Sequence, residues 1–336
     1  MTTKKSTIYD LAEQAGTSAS TVSAILNGTW ENRRIAKDTA QRVLMLAEKL
    51  KYTVNRQASG LRRSRSGLIG MIIPMHDNRF FSAMSQTFEK LARERHLYPI
   101  VVSTLRDPKL EVETVRTLIS YQIEYLVVTG ATDPDALSKV CAHHGVAHVN
   151  VDLPGRRAPS VISDNYWGAL QLTSQLIERS TPQPSPERDR IYFVGGIASD
   201  NSTKRRIDGF KDAIKASFGA VKAEQVNPCG YEADRAEAAV RALYTRLGGL
   251  PRGLFVNSTI ALEGVVRFLK TLSQGQIAEC AIGSYDWDPF ATFLSFPLLM
   301  VKQDIPRLMG EAFRLIDSGE FPAGKVIEIK PELVQA

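Results

Sequence analysis

The chain has 336 residues, 43% of them apolar, enough to bury more than one hydrophobic core, so a single small fold is excluded. Its net charge of +6 is unevenly placed: residues 1–66 carry 12 Lys and Arg against 5 Asp and Glu, whereas residues 67–336 carry 30 against 31. So concentrated a cationic segment suits a phosphate backbone or a solvated basic tail, and a metabolite pocket does not need it.

Cys141, Cys229 and Cys280 are odd in number and far apart, which argues against a disulfide framework and against a zinc site. No metal or cofactor is expected. The first residues show no apolar signal stretch, and nowhere do about eighteen apolar residues follow one another, so a soluble cytoplasmic protein without a membrane partner is expected.

Three short helices are predicted between Thr7 and Leu50. The first runs from Ile8 to Ala15 with Ile8, Leu11, Ala12 and Ala15 on one face, and Gly16 ends it in a tight turn. Ser18 then offers an N-cap to Ala19–Leu26, whose Val22, Ile25 and Leu26 point inward. The small residues left outside, Ala19, Ser20, Thr21, Ser23 and Ala24, would let this helix lie deep in a major groove, with hydroxyls on base edges and methyls on thymine; the same face suits packing against another helix. A loop carrying Arg33 and Arg34, placed to meet phosphates, leads to a third helix from about Lys37 to Lys51.

Tyr52 to Arg62 reads as a short basic segment, with Ser59 and Gly60 too weak a helix to stand without packing and Arg56, Arg62, Arg63 and Arg65 around them. From Ser66 the texture changes to apolar runs alternating with amphipathic stretches: Leu68–Pro74, a helix near Phe81–His96, then Tyr98–Val102. Further strands are predicted at Tyr125–Thr129, Ala147–Val151, Ile191–Val194, Gly253–Val256 and Cys280–Ser284, with helices near Glu111–Ser120, Trp167–Glu178, Thr203–Ser217 and Ala233–Leu247. The second series restarts after the Pro- and charge-rich stretch Ser180–Asp189, giving two similar subdomains of parallel, doubly wound sheet with a ligand cleft at the strand C-terminal ends. Gly195-Gly196 lacks the G-x-G-x-x-G pattern, so a nucleotide cofactor is rejected. His76, His96, His143, His144 and His148 show no motif tying them to a reactive Ser or Cys, which leaves no catalytic residue to name.

Thr7-Ile8-Tyr9-Asp10-Leu11-Ala12, Ala15-Gly16-Thr17-Ser18, Thr21-Val22-Ser23 and Asn27 together resemble the LacI/GalR family of transcription regulators in residue type and spacing. The resemblance implies a three-helix helix-turn-helix domain over 1–53, a hinge helix over 54–65 and a periplasmic-binding-protein-like effector domain over 66–336. The expected N-subdomain spans about 66–163 plus a crossover near 288–302; the expected C-subdomain spans 164–287 and 303–336. Operator contacts would fall on Thr7, Tyr9, Ser18, Ala19, Ser20, Thr21, Ser23, Ala24, Asn27, Arg33 and Arg34, and on the hinge residues Asn55, Arg56 and Ala58, with Leu61 as a minor-groove wedge. Val54 stands where many relatives have proline, and Ala24 where some place a base-reading arginine.

In the sensing part the resemblance implies an effector, a sugar or sugar derivative, bound by Phe80, Phe81, Asp152, Asp164, Asn201, Ser202, Arg206, Asn257, Asp286 and Trp287. Phe80 and Phe81 suit stacking on a sugar and core packing equally, and Asn201, Ser202, Asn257 and Trp287 could as well be turn or cap residues. Arg206 matches the family arginine that donates several hydrogen bonds to the effector. The long loop before Ile35 and the segment Phe255–Gly264 are similar to the fructose- and sucrose-repressor branch. Leu153, standing where one phosphosugar-binding relative has arginine, tilts the expectation to a neutral sugar or polyol, and Ser258 removes a carboxylate the family often carries. Without a leucine-heptad tail after Ile327–Pro331, a homodimer on operator DNA is expected. A repressor is the first reading; an activator or dual regulator shares this architecture, and a sugar-binding protein without regulatory role ranks last.

Overall fold

The computed structural model describes residues 6–52 and 66–335, which fall into two compact units, one ahead of Gly67 and one from Gly67 onward. The expected hinge helix, with Asn55, Arg56, Ala58 and Leu61, lies outside the described residues.

The first unit contains α1 (Ile8–Gln14), α2 (Ala19–Leu26) and α3 (Lys37–Lys49). Thr7 and Asp10 cap α1 reciprocally: the Thr7 N–H donates to Asp10 Oδ2 at 2.7 Å, and the Asp10 N–H donates to Thr7 Oγ1 at 3.2 Å. Gly16 takes φ +64 at the turn between α1 and α2. Leu11, Val22, Ile25 and Val43 form the small core, with Trp30 and Ile35 from the loop packed against it.

The second unit holds two six-stranded sheets. The first has the order β11-β5-β4-β3-β1-β2, built from β1 (Leu68–Ile73), β2 (Tyr98–Ser103), β3 (Tyr125–Thr129), β4 (Ala147–Val151), β5 (Ser160–Ser163) and β11 (Val326–Ile329). The second has the order β12-β10-β9-β8-β6-β7, from β6 (Ile191–Val194), β7 (Val226–Asn227), β8 (Gly253–Val256), β9 (Ala281–Tyr285), β10 (Leu298–Lys302) and β12 (Glu332–Gln335). All neighbours run parallel except β12, which is antiparallel to β10. Parallel strands need crossovers, and helices such as Arg79–Glu94, Asn201–Phe218 and Ala233–Leu247 supply them and cover the sheet faces.

The subdomain boundaries expected from the sequence need correction at the C-terminal end. Leu298–Lys302 does not join the first subdomain but pairs with β9 in the second sheet, burying Leu298 to Val301. Conversely, the helix Ile305–Ser318 belongs to the first subdomain, because its stripe Leu308, Met309, Ala312, Phe313 and Ile316 completes the core of Met71, Phe81 and Phe88. β11 follows it there beside β5, and only β12 returns to the second sheet. The chain therefore crosses between subdomains at 163–165, 302–305 and 329–332.

Two helix pairs of the second sheet approach through glycine. A Cβ on Gly264 would collide with the Ala233 carbonyl of the facing helix, and one on Gly209 with the Tyr166 carbonyl. Backbone atoms cannot rotate away as a side-chain tip can, so Gly264→Ala is expected to destabilise this unit by about 1–3 kcal/mol in urea unfolding. An unchanged midpoint would show that the two helices separate freely.

Candidate functional site

Two surfaces carry the expected chemistry, one in each unit. In the first unit, Ser18 caps α2: its Oγ accepts from the Thr21 N–H at 3.1 Å and lies 2.8 Å from Ser20 Oγ and 2.9 Å from Thr21 Oγ1. Ser20 is exposed, Ala19, Thr21 and Ser23 are half-buried, and Tyr9 is 64% exposed on α1. Asn27 closes α2, donating from Nδ2 to the Ser23 carbonyl at 2.6 Å, and remains exposed. Arg33 and Arg34 are exposed on the turn after Trp30, Arg34 at φ +53. Ala24 does not belong to this surface: it is 3% exposed and packs inward, because α2 is flanked by both α1 and α3 and so buries a wider arc than one stripe. A side chain so covered offers nothing to a base edge.

In the second unit, the C-terminal ends of both sheets face a cleft of about 450 Å³. The first subdomain lines it with Asp77, Phe80, Phe81, Leu105, Arg106, Asp152 and Leu153, and the second with Asp200, Ser202, Arg206, Tyr231, Ser258 and Asp286. Gln303, at the middle chain crossing, completes it. Phe81 is also a core residue and meets Phe80 edge-on at 5.2 Å between centroids, so of the two rings the half-buried Phe80 is the more available to a ligand.

Arg206 anchors the floor. It is 3% exposed, donates from Nε to Asn165 Oδ1 at 2.8 Å and from Nη1 to the Asn257 carbonyl at 2.5 Å, and stacks 3.6 Å over the Tyr285 ring. Its Nη2 lies 3.9 Å from Asp286 Oδ1, which also accepts from Gln303 Nε2 at 2.5 Å. Asp152 and Asp286 both adopt left-handed backbone, φ +74 and +68, at the ends of β4 and β9, a conformation aspartate tolerates better than most residues. Burial pushes the Asp152 carboxyl up to about 6; Arg106 and Arg206 oppose the rise, while Asp286 and Asp200 add to it. Burial likewise raises Asp286, against the pull of Arg206 and the Gln303 hydrogen bond.

Four expected effector residues stand elsewhere. Asp164 caps the helix Asn165–Arg179, accepting from the Trp167 N–H at 2.9 Å, and does not line the cleft. Asn201 is exposed toward a separate groove with Pro154, Arg205 and Glu328. Asn257 is fully buried behind Arg206, donating to Thr203 Oγ1 at 3.4 Å, with its Oδ1 unpartnered. Trp287 opens instead on a neighbouring cavity of about 590 Å³, which shares Asp77, Phe80, Asp286 and Gln303 with the cleft, and Lys302 lies 5.2 Å over its ring. Sequence reasoning missed Arg106, Asp200, Tyr231 and Gln303; the signal for them was position, since each falls in a loop just beyond a strand's C-terminal end.

Among the described residues no helix is long and apolar enough to cross a membrane, and no group of His, Cys, Asp and Glu could hold a metal.

Residues 69–291 match the periplasmic binding protein domain, and residues 7–55 match the bacterial regulatory proteins of the lacI family. The chain is 51% identical over 193 residues to the ribitol operon repressor of Klebsiella aerogenes, 57% of this chain and 71% of that one. It is 30% identical over 319 residues to the sucrose operon repressor of Klebsiella pneumoniae, 94% and 92% of the two chains. Among solved structures, the lac repressor dimer bound to operator and the anti-inducer ONPF has the same fold, with a TM-score of 0.82 at 20% identity over 98% of both chains. The Cra dual regulator of Pseudomonas putida in complex with fructose 1-phosphate gives 0.70 at 19% identity over 80% of this chain and 98% of that one.

The raised carboxyl of Asp152 has a measurable consequence. A folded-state pKa above that of an exposed aspartate stabilises the fold below about pH 4, and that stability is lost as pH rises through about 6. Asp152→Asn is therefore expected to be the more stable protein at pH 7, by up to about 3 kcal/mol, and to lose this part of the pH dependence. Urea midpoints at pH 4 to 7 read the effect, and parallel profiles for the two proteins would refute it.

Proposed function

The chain belongs to the lacI family of bacterial regulatory proteins, a DNA-binding transcription repressor whose operator affinity a small molecule switches, and we propose that this effector is a neutral polyol of about five carbons. The observation that carries the reading is a surplus of buried acceptors. Asp152, Asp200 and Asp286 bring three carboxylates to the cleft, Asp200 Oδ2 and Gln303 Oε1 are buried without a hydrogen-bond partner, and Arg206 already spends its Nε and Nη1 on protein oxygens. Buried acceptors demand donors, and a polyol supplies one O–H per carbon without adding charge. A phosphate would bring more acceptors and a further negative charge to a cleft whose carboxylates, Asp77, Asp152, Asp200, Glu232 and Asp286, already outnumber its arginines, Arg106 and Arg206. The 51% identity to a ribitol operon repressor supports the same reading, ribitol being a five-carbon polyol.

On the DNA side, the reading assigns base contacts to Ser18, Ala19, Ser20, Thr21, Ser23 and Asn27, and phosphate contacts to Thr7, Tyr9, Arg33 and Arg34, joined by Asn55, Arg56, Ala58 and Leu61 of the hinge segment. Two copies of α2 would read the two halves of a pseudo-palindromic operator in the cytoplasm. Phe290 and Phe293, 66% and 81% exposed in the turn Pro289–Phe293, offer the apolar surface such a homodimer would cover. Effector binding would shift the molecule between two states, with a coupling of about 1–3 kcal/mol; no bond is made or broken.

Fluorescence anisotropy with DNA from upstream of the chain's own gene tests both ends at once. Specific, salt-dependent binding released by ribitol but not by a sugar phosphate is expected; binding that only a phosphosugar alters would overturn the polyol assignment. Arg33→Ala combined with Arg34→Ala, which removes four arginines from the dimer, should lower the slope of log affinity against log salt by about 4, whereas an unchanged slope would remove these arginines from the phosphates. Phe293→Asp should convert a dimer into a monomer in sedimentation velocity, and a dimer that persists would place the interface elsewhere.

A further inference from the structure

The cleft holds one cation that the family reading leaves without a task. Arg106 follows β2 in a loop where both Leu105 and Arg106 take left-handed backbone, φ +53 and +55. The loop is pinned, since the Thr104 N–H donates to the Ile73 carbonyl at 2.9 Å and the Leu105 N–H to the Pro74 carbonyl at 2.8 Å. Strain held this firmly aims a side chain. That side chain crosses from the first subdomain to the second: its Nη1 stops 3.6 Å from Asp200 Oδ2, and its guanidinium lies 5.0 Å over the Tyr231 ring. Tyr231 is itself held by Thr203 at 3.1 Å between hydroxyl oxygens.

The pair is largely buried, 20% and 17% exposed, yet neither Arg106 nor Asp200 Oδ2 makes a hydrogen bond among the described residues. The separation attracts as an ion pair and is too long for a direct hydrogen bond. It does admit one oxygen atom about 2.8 Å from both groups. Such an atom must accept from the guanidinium and donate to the carboxylate, and a hydroxyl does both.

We propose that Arg106 and Asp200 together read one hydroxyl of the effector where the two subdomains meet in the cleft, which makes Arg106 a specificity-determining residue. The inference rests on the polyol reading and adds to it a residue pair and a selection rule. A methyl group in this place would leave a buried donor and a buried acceptor unpaired, and a phosphate would face Asp200 with like charge.

Isothermal titration of the full chain with ribitol, 1-deoxyribitol and ribitol 5-phosphate tests it. The wild type should prefer ribitol to 1-deoxyribitol by about tenfold or more. Arg106→Met and Asp200→Ala should each bring that ratio close to one, and Asp200→Asn should gain about tenfold or more for ribitol 5-phosphate. Arg106→Lys and Asp200→Asn, which keep charge or volume, decide the matter if the larger truncations fail to fold. A strap that merely holds the subdomains together would change all affinities alike; an unchanged ratio in Arg106→Met therefore overturns the proposal. If the wild type binds sucrose or D-ribose but no pentitol, the polyol reading falls, and the ratio of that sugar to its deoxy analogue in the same variants judges the pair on its own.

Discussion

A guanidinium out of water is the constraint around which the sensing unit is arranged. Arg206 is almost fully buried, and a lone buried charge costs several kcal/mol, so acceptors must gather round it. The start of the helix Asn165–Arg179 supplies Asn165, the end of β8 supplies the Asn257 carbonyl, and the end of β9 supplies Asp286 and the face of Tyr285. One cation thereby ties three segments of the second sheet to a single point. It also explains why several carboxylates can stand close together at the cleft, since its charge opposes the rise that burial imposes on both Asp152 and Asp286.

Much of this was legible in the residues. The 3.6-residue stripes of α1 and α2, the capping hydroxyl at Ser18, and the apolar runs of β1, β3, β4, β6, β8 and β9 follow from local physics, and local physics decides them. What stayed hidden depended on distance or on phase. An apolar run such as Leu298–Val301 announces a strand without naming its sheet. Asn201 and Ser202 are consecutive on a helix, about 100° apart, so only one of them could face the cleft, and it is Ser202. Asp286 and Trp287 divide in the same way between two adjoining cavities. Arg106 carried no motif at all; its place above the cleft arises from a loop conformation that its own sequence does not favour.

The triple crossing between subdomains bears on how binding is transmitted. Gln303 sits on the middle crossing and holds Asp286 directly, so a ligand that engages the Asp286 carboxylate is one hydrogen bond away from a segment that joins the two sheets.

The position of β11 and β12 has a consequence for the order of events during synthesis. The first sheet ends at its edge with Val326–Ile329 and the second with Glu332–Gln335, the last elements of the described chain, while the helix-turn-helix occupies residues near the start. Translation proceeds from the N-terminus, and domains fold as they emerge. The recognition helices are thus synthesised before either half of the sensor has its edge strand, and a chain cut short ahead of Val326 would carry them beside two unfinished sheets. For a repressor, completing these last strands is what joins the DNA-reading helices to a sensor able to answer a signal.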